Sequence, residues 1–149
     1  MAELLHFEDF RAGQTFEFGA YKVTAEEIVA FAREFDPQPI HLSDEAARKS
    51  AVGGLIASGW HTCAIAMRLL VDGLFNRSTS LGGVSVDEAR WLKPVRPGDV
   101  LAMKVEVLET RASAKGGRGY VNFKVALHRG GENVLTFTTW PIFAMRSAA

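Results

Sequence analysis

Gly59-Trp60-His61-Thr62-Cys63-Ala64-Ile65-Ala66-Met67-Arg68-Leu69-Leu70-Val71-Asp72-Gly73-Leu74-Phe75 is the longest helical candidate in the chain. Apolar residues lie almost all round it, Trp60, Ala64, Ile65, Met67, Leu70, Val71 and Leu74 among them, which predicts a central, mostly enclosed helix. Arg68 and Asp72 interrupt the stretch, and it is too short and too charged to span a membrane. After it the hydrophobic period changes from helical to alternating. Residues 81–92, 100–109, 119–129 and 133–146 read as strands, most clearly at Leu101, Met103, Val105, Val107 and at Val121, Phe123, Val125, Leu127. Pro97-Gly98-Asp99 and Gly130-Gly131 are turn signals between them, and Pro141 in the last strand predicts an edge position or a bulge.

Before the long helix, residues 14–23 read as a first strand. Thr24-Ala25-Glu26-Glu27 is a capping box, and Ile28, Phe31, Ala32 and Phe35 repeat at the spacing of one buried helical stripe. Asp36-Pro37 ends that helix, because a residue before proline is pushed out of the helical region. Ser43 caps a second short helix through Ser50, with Asp44 and Glu45 favourably placed in its first turn, and a glycine-containing connection fills 52–58. One strand, then helices, then four strands make an α+β protein, a single domain over 1–149. A curved antiparallel sheet wrapped around the 59–75 helix is the economical solution. Its exposed edges make a homodimer the default way to cover them. The tail 147–149 is expected to fray.

Composition narrows the function classes. The 17 basic and 17 acidic residues cancel, so no net field attracts nucleic acid or an anionic membrane. The single cysteine, Cys63, cannot form an internal disulfide, leaves no pair for a zinc site and reads as a small core residue. Residues 1–11 carry Glu3, Glu8 and Asp9 and do not form a secretory leader, so a cytoplasmic location is expected.

The chemically pointed stretch is Phe35-Asp36-Pro37-Gln38-Pro39-Ile40-His41, followed downstream by Ala57-Ser58-Gly59 at the start of the long helix. An aspartate beside a histidine orients the ring and stabilises its charged form, and positioned acid–base pairs contribute about 10²–10⁴-fold in rate. Residues five apart on an extended chain point to opposite faces, so the backbone must bend near Ile40 for both groups to meet. At Gly59 the first amides of the helix lack internal partners, and a residue without a Cβ lets a thioester oxygen approach them. Losing one such oxyanion donor costs about 10²–10³-fold in turnover.

These residues, together with Trp91-Leu92-Lys93-Pro94-Val95-Arg96-Pro97-Gly98-Asp99, resemble the MaoC-like dehydratase family, which is related to the (R)-specific enoyl-CoA hydratases and has the hotdog fold. The resemblance runs from about residue 7 to 145. It implies Asp36 and His41 as the catalytic pair, the Gly59 amide as the oxyanion donor, a homodimer, and an acyl chain in a tunnel between helix and sheet. The reaction it implies adds water to, or removes it from, an enoyl thioester. Coenzyme A enters as part of the substrate, with no metal or redox cofactor. Gln38 stands where the family usually has asparagine, and Met67 where the (R)-hydratases have a serine.

Further substrate-binding candidates are Gln38, Ser58, His61, Arg90, Lys93 and Arg96. His61 lies near the helix start, although core or interface packing is its plainer role. The three basic residues can meet the phosphates of a carrier, although strand charges are usually just solvated. Gly116-Gly117-Arg118-Gly119 reads as a hairpin tip, and His6 and His128 as surface groups. Thioester hydrolysis and acyl binding without turnover are the competing functions. Hydrolysis on this architecture generally needs a carboxylate on the central helix, where only Asp72 is available.

Overall fold

The computed structural model describes residues 3–147, so the last two positions of the expected frayed tail lie outside the described residues. The elements are β1 (Thr15–Lys22), α1 (Ala25–Phe35), α2 (Pro39–Leu42), α3 (Asp44–Arg48), α4 (Gly59–Gly73), β2 (Ser80–Trp91), β3 (Val100–Ala112), β4 (Arg118–Arg129) and β5 (Glu132–Ala144). The strands form one antiparallel sheet in the order β1-β3-β4-β5-β2, curved around α4 in the hotdog arrangement. Alternation decides which face is inside. Val105 and Val107 of β3 pair with Val125 and Phe123 of β4, and all four are fully buried. Ile65, Ala66, Leu69 and Leu70 of α4 pack onto that face, each leucine or isoleucine contributing about 1.5–3 kcal/mol by leaving water. The β4–β5 turn is Gly130-Gly131, both with positive φ, as the tightest hairpins require.

The cap readings hold. Thr24 accepts from the Glu27 amide while the Glu27 carboxylate accepts from the Thr24 amide, and Ser43 accepts from the Ala46 amide. Of the two readings of Pro141 the bulge is the one found, because β5 is an interior strand between β4 and β2 and the β2–β5 register shifts on either side of the Gly83–Pro141 pair. The structure departs from expectation in three places. The helix α4 is not enclosed: Trp60 is 67% and Met67 49% exposed, and with Ala64 they form an open apolar stripe. The segment carrying His41 is a helical turn rather than a kinked loop, because Pro39 at the first helical position has no amide to satisfy and a preset φ. His6 and His128 are half-buried rather than surface groups, and the Nδ1 atom of His128 is buried without a partner.

The exposed apolar stripe on α4 lines one groove with Val86 of the edge strand β2, which is itself more than half exposed. Contiguous apolar surface of this kind marks an interaction or ligand face.

Candidate active site

Asp36 is the C-cap of α1, where Pro37 stops the helix, and His41 rides on α2 five residues later. The turn at Pro39 supplies the required bend, and His41 Nε2 lies 3.4 Å from Asp36 Oδ2. The imidazole is 5% exposed. Its Nδ1 lies 2.8 Å from the Ile56 carbonyl, which can only accept, so Nδ1 carries a proton and Nε2 is the atom turned to the carboxylate.

The carboxylate is held at both oxygens. Ser58 Oγ donates to Oδ2 at 2.6 Å and Gln38 Nε2 donates to Oδ1 at 2.7 Å. Those donors, Ser58 first and Gln38 second, hold the Asp36 carboxyl below the usual carboxylate value of 3.8; partial burial opposes them and His41 adds a smaller lowering. Ser58 is fully buried and performs two tasks, because its hydroxyl also accepts from the Trp60 amide as N-cap of α4.

Gly59 is the first residue of α4 and lines a cleft of about 320 Å³ with His41, Thr62, Trp91 and Lys93. Asp36 does not line this cleft itself and reaches it through its contacts with His41 and Ser58. The Trp91 indole lies against Gly59: its Nε1–H donates to the Gly59 carbonyl at 2.8 Å, and a Cβ on Gly59 would stand 2.8 Å from the same nitrogen. Only glycine fits between the ring and the helix start.

The other candidates are distributed differently. Ser58 and Gln38 both donate to Asp36, so the structure gives each of them a part in holding that carboxylate. Lys93 lines the cleft and is exposed. Arg90 is exposed on β2 and lines none of these cavities. Arg96 is committed to the 52–54 loop, donating to the Val52 carbonyl at 2.6 Å, and lines a separate polar cavity beside Asp44 and Arg48. His61 is also elsewhere: it stacks on Phe31 of α1 with centroids 4.9 Å apart and lies 3.7 Å from Glu27, whose carboxylate accepts from the Tyr21 hydroxyl. Two residues along a helix is a rotation of about 200°, which turns His61 away from Gly59 and toward α1. Its Nδ1 is buried without a partner, and burial lowers its pKa against the pull of Glu27.

Among the described residues no cluster of three or more His, Cys, Asp or Glu is arranged to hold a metal ion, and no helix is long and apolar enough to cross a membrane.

The family model described as the MaoC-like domain matches residues 9–127. The crystal structure of a MaoC-like dehydratase from Rhodospirillum rubrum superposes with a TM-score of 0.89, at 40% identity over 96% of this chain and 99% of that one. An uncharacterized protein of Bacillus subtilis, YdeM, is 37% identical over 70% of this chain and 74% of its own length. A 3-hydroxybutyryl-CoA dehydratase of Methylorubrum extorquens is 34% identical over 71% of this chain, which spans 66% of that protein.

Proposed function

The chain belongs to the MaoC-like domain family, and we propose that it adds water reversibly across the α,β double bond of an enoyl thioester, with coenzyme A as the carrier. The observation that carries this reading is the contact of a held carboxylate with an imidazole whose Nε2 faces it, beside a helix start that only glycine can occupy. In the proposed step water attacks the β-carbon and gives its proton to Asp36. The double-bond electron pair moves toward the thioester oxygen, where the Gly59 amide stabilises the developing charge. The imidazolium of His41 delivers a proton from Nε2 to the α-carbon. A proton then passes from Asp36 to His41 across their 3.4 Å contact, restoring the starting state.

Hydrolysis fits less well. Asp72, the only carboxylate on α4, is about 20 Å along the helix from Gly59 and pairs with Arg68 on the exposed side. Incubation with crotonyl-CoA separates the two activities: hydration removes the enoyl absorbance without releasing free thiol, and release of thiol overturns the reading. A second copy of the chain covering α4 and β2 accounts for the exposed apolar stripe and for the free edge of β2.

Ser58 tests the arrangement of the carboxylate. Ser58→Ala removes the donor that most favours the ionised form. The low-pH limb of kcat/KM therefore moves up toward the ordinary carboxylate value, and the rate at neutral pH falls by up to about 10²-fold through misplacement of Asp36. Ser58→Thr keeps the hydroxyl and retains the native pH profile. The sign for stability is the same. A depressed carboxylate pKa stabilises the fold above 3.8 and that contribution is lost as pH falls through the lowered value, so Ser58→Ala flattens the acid dependence of Tm.

A further inference from the structure

The stretch that supports Asp36 and His41 has no ladder of its own. Residues 49–58 join α3 to α4 outside any helix or strand, so each position is held by individual bonds. Two of its residues reach the pair. The Ile56 carbonyl accepts from His41 Nδ1 at 2.8 Å, and Ser58 Oγ donates to Asp36 Oδ2 at 2.6 Å. Between them the Ala57 amide donates to the Val95 carbonyl at 2.8 Å. The orientation of both reacting side chains therefore depends on where residues 56–58 lie.

Upstream, two charged side chains fasten the same stretch. Arg96 Nη2 donates to the Val52 carbonyl at 2.6 Å, and Asp44 Oδ1 accepts from the Leu55 amide at 2.9 Å. Charge-assisted bonds of this kind are roughly twice as strong as neutral ones. The two groups converge on Gly54, where a Cβ would stand 3.2 Å from Arg96 Nη1 and 3.5 Å from Asp44 Oδ1. Arg48 completes the set by donating to Asp44 Oδ2 at 2.6 Å. Arg96 is itself set in a braced turn. Its amide donates to the Asp99 carboxylate, which also accepts from Arg129, and Arg129 donates to the Pro94 carbonyl. The Gly98 amide ties the turn to the Val23 carbonyl at 2.7 Å.

We infer that Arg96 and Asp44 are positioning residues for hydration, fixing the 52–55 stretch so that Ile56 and Ser58 meet His41 and Asp36 in register. The inference rests on the hydration reading above and adds two residues that act through others. A displacement of about 1 Å in a reacting group costs about 10²-fold in rate, so a modest loosening of this stretch has a large effect. The role also separates two uses of Arg96. A guanidinium that binds a carrier phosphate alters the affinity for coenzyme A thioesters alone, whereas one that fixes the stretch alters turnover whatever the carrier.

The test compares crotonyl-CoA with the crotonyl thioester of N-acetylcysteamine, which carries no phosphate, at a temperature where thermal melts show each variant folded. Arg96→Met lowers kcat for crotonyl-CoA by about 10–10²-fold with KM within about twofold, and lowers kcat/KM for both thioesters by the same factor. Asp44→Ala does the same and carries the test should Arg96→Met fold poorly. Arg96→Lys, which keeps a donor for Val52, and Asp44→Asn, which keeps an acceptor for Leu55, recover most of the loss. A second readout needs no turnover. The Nδ1 proton of His41, bonded to Ile56 in a ring that is 5% exposed, gives a protected NMR signal that His41→Ala identifies. In Arg96→Met and Asp44→Ala that proton exchanges with solvent at least about tenfold faster. A raised KM with loss confined to the coenzyme A thioester assigns Arg96 to the carrier and overturns the inference. Unchanged kcat, or unchanged exchange, in both Arg96→Met and Asp44→Ala also overturns it while leaving hydration in place. If the native protein hydrates neither thioester, the hydration reading fails, and the exchange of the His41 proton alone decides whether Arg96 and Asp44 hold the pair.

Discussion

Asp36→Asn lowers kcat/KM for hydration of an enoyl-CoA by about 10²–10⁴-fold, the range expected when one member of a positioned acid–base pair is lost. The substitution is nearly isosteric. The side-chain oxygen of asparagine still accepts from Ser58, and the amide keeps the α1 cap, so Tm stays within a few degrees of the native value. What asparagine lacks is the capacity to take a proton from water. His41→Ala produces a loss of similar size, and the double variant loses little more than either single one, because two groups that pass one proton between them act as a unit. A Tm change large enough to unfold the protein at the assay temperature would mean that the pair serves the fold. Steady-state kinetics with thermal melts on the same preparations makes the distinction.

Gly59→Ala is the second large effect, and it arises from space. The added methyl would stand 2.8 Å from Trp91 Nε1 and 2.9 Å from Cε2, distances that real Cβ atoms do not show. The indole must swing away, which breaks its hydrogen bond to the Gly59 carbonyl, or the helix start must shift. Either movement displaces the amide assigned to the thioester oxygen, and turnover falls by about 10²–10³-fold. Overpacking of this kind also costs about 1–3 kcal/mol of stability. Gly59→Ala combined with Trp91→Leu gives the methyl its space. The double variant regains the stability lost to the clash. Its turnover shows how much of the defect came from the displaced amide and how much from the indole.

The elements written in local chemistry were legible from the chain alone. Thr24-Ala25-Glu26-Glu27 carries both halves of its capping box in four residues, and Ser43 starts its helix as its neighbours suggest. The strands β3 and β4 announce their buried face by alternation, and Asp36 and His41 are close enough in sequence for one bend to join them. The grip of Ser58 on Asp36 spans 22 residues and left no separate trace. A serine at a helix start already has a sufficient local explanation, and that explanation is also true, since one hydroxyl accepts from Trp60 and donates to Asp36. Gln38 read from the chain only as a substrate-binding amide, and its bond to Asp36 Oδ1 came with the structure. Nor does a helix that is apolar all round reveal whether a sheet covers every side; here the β5–β2 side stands off and leaves Trp60 and Met67 open. Arg96 and His61 were misplaced for a related reason. Their sequence neighbours belong to the site, but the direction of each side chain follows from a loop or helix rotation that proximity along the chain does not convey.

The central claim is that solvent water is added to a carbon–carbon double bond at Asp36 and His41 while the thioester stays intact. Incubating the protein with trans-2-octenoyl-CoA or crotonyl-CoA in heavy-oxygen water and weighing the products tests it directly. The account predicts a 3-hydroxyacyl-CoA that carries one solvent oxygen on the acyl chain, formed by the native protein and not by Asp36→Asn. Label appearing instead in a free carboxylic acid, with coenzyme A released, or the same labelled product from Asp36→Asn at the native rate, would contradict it.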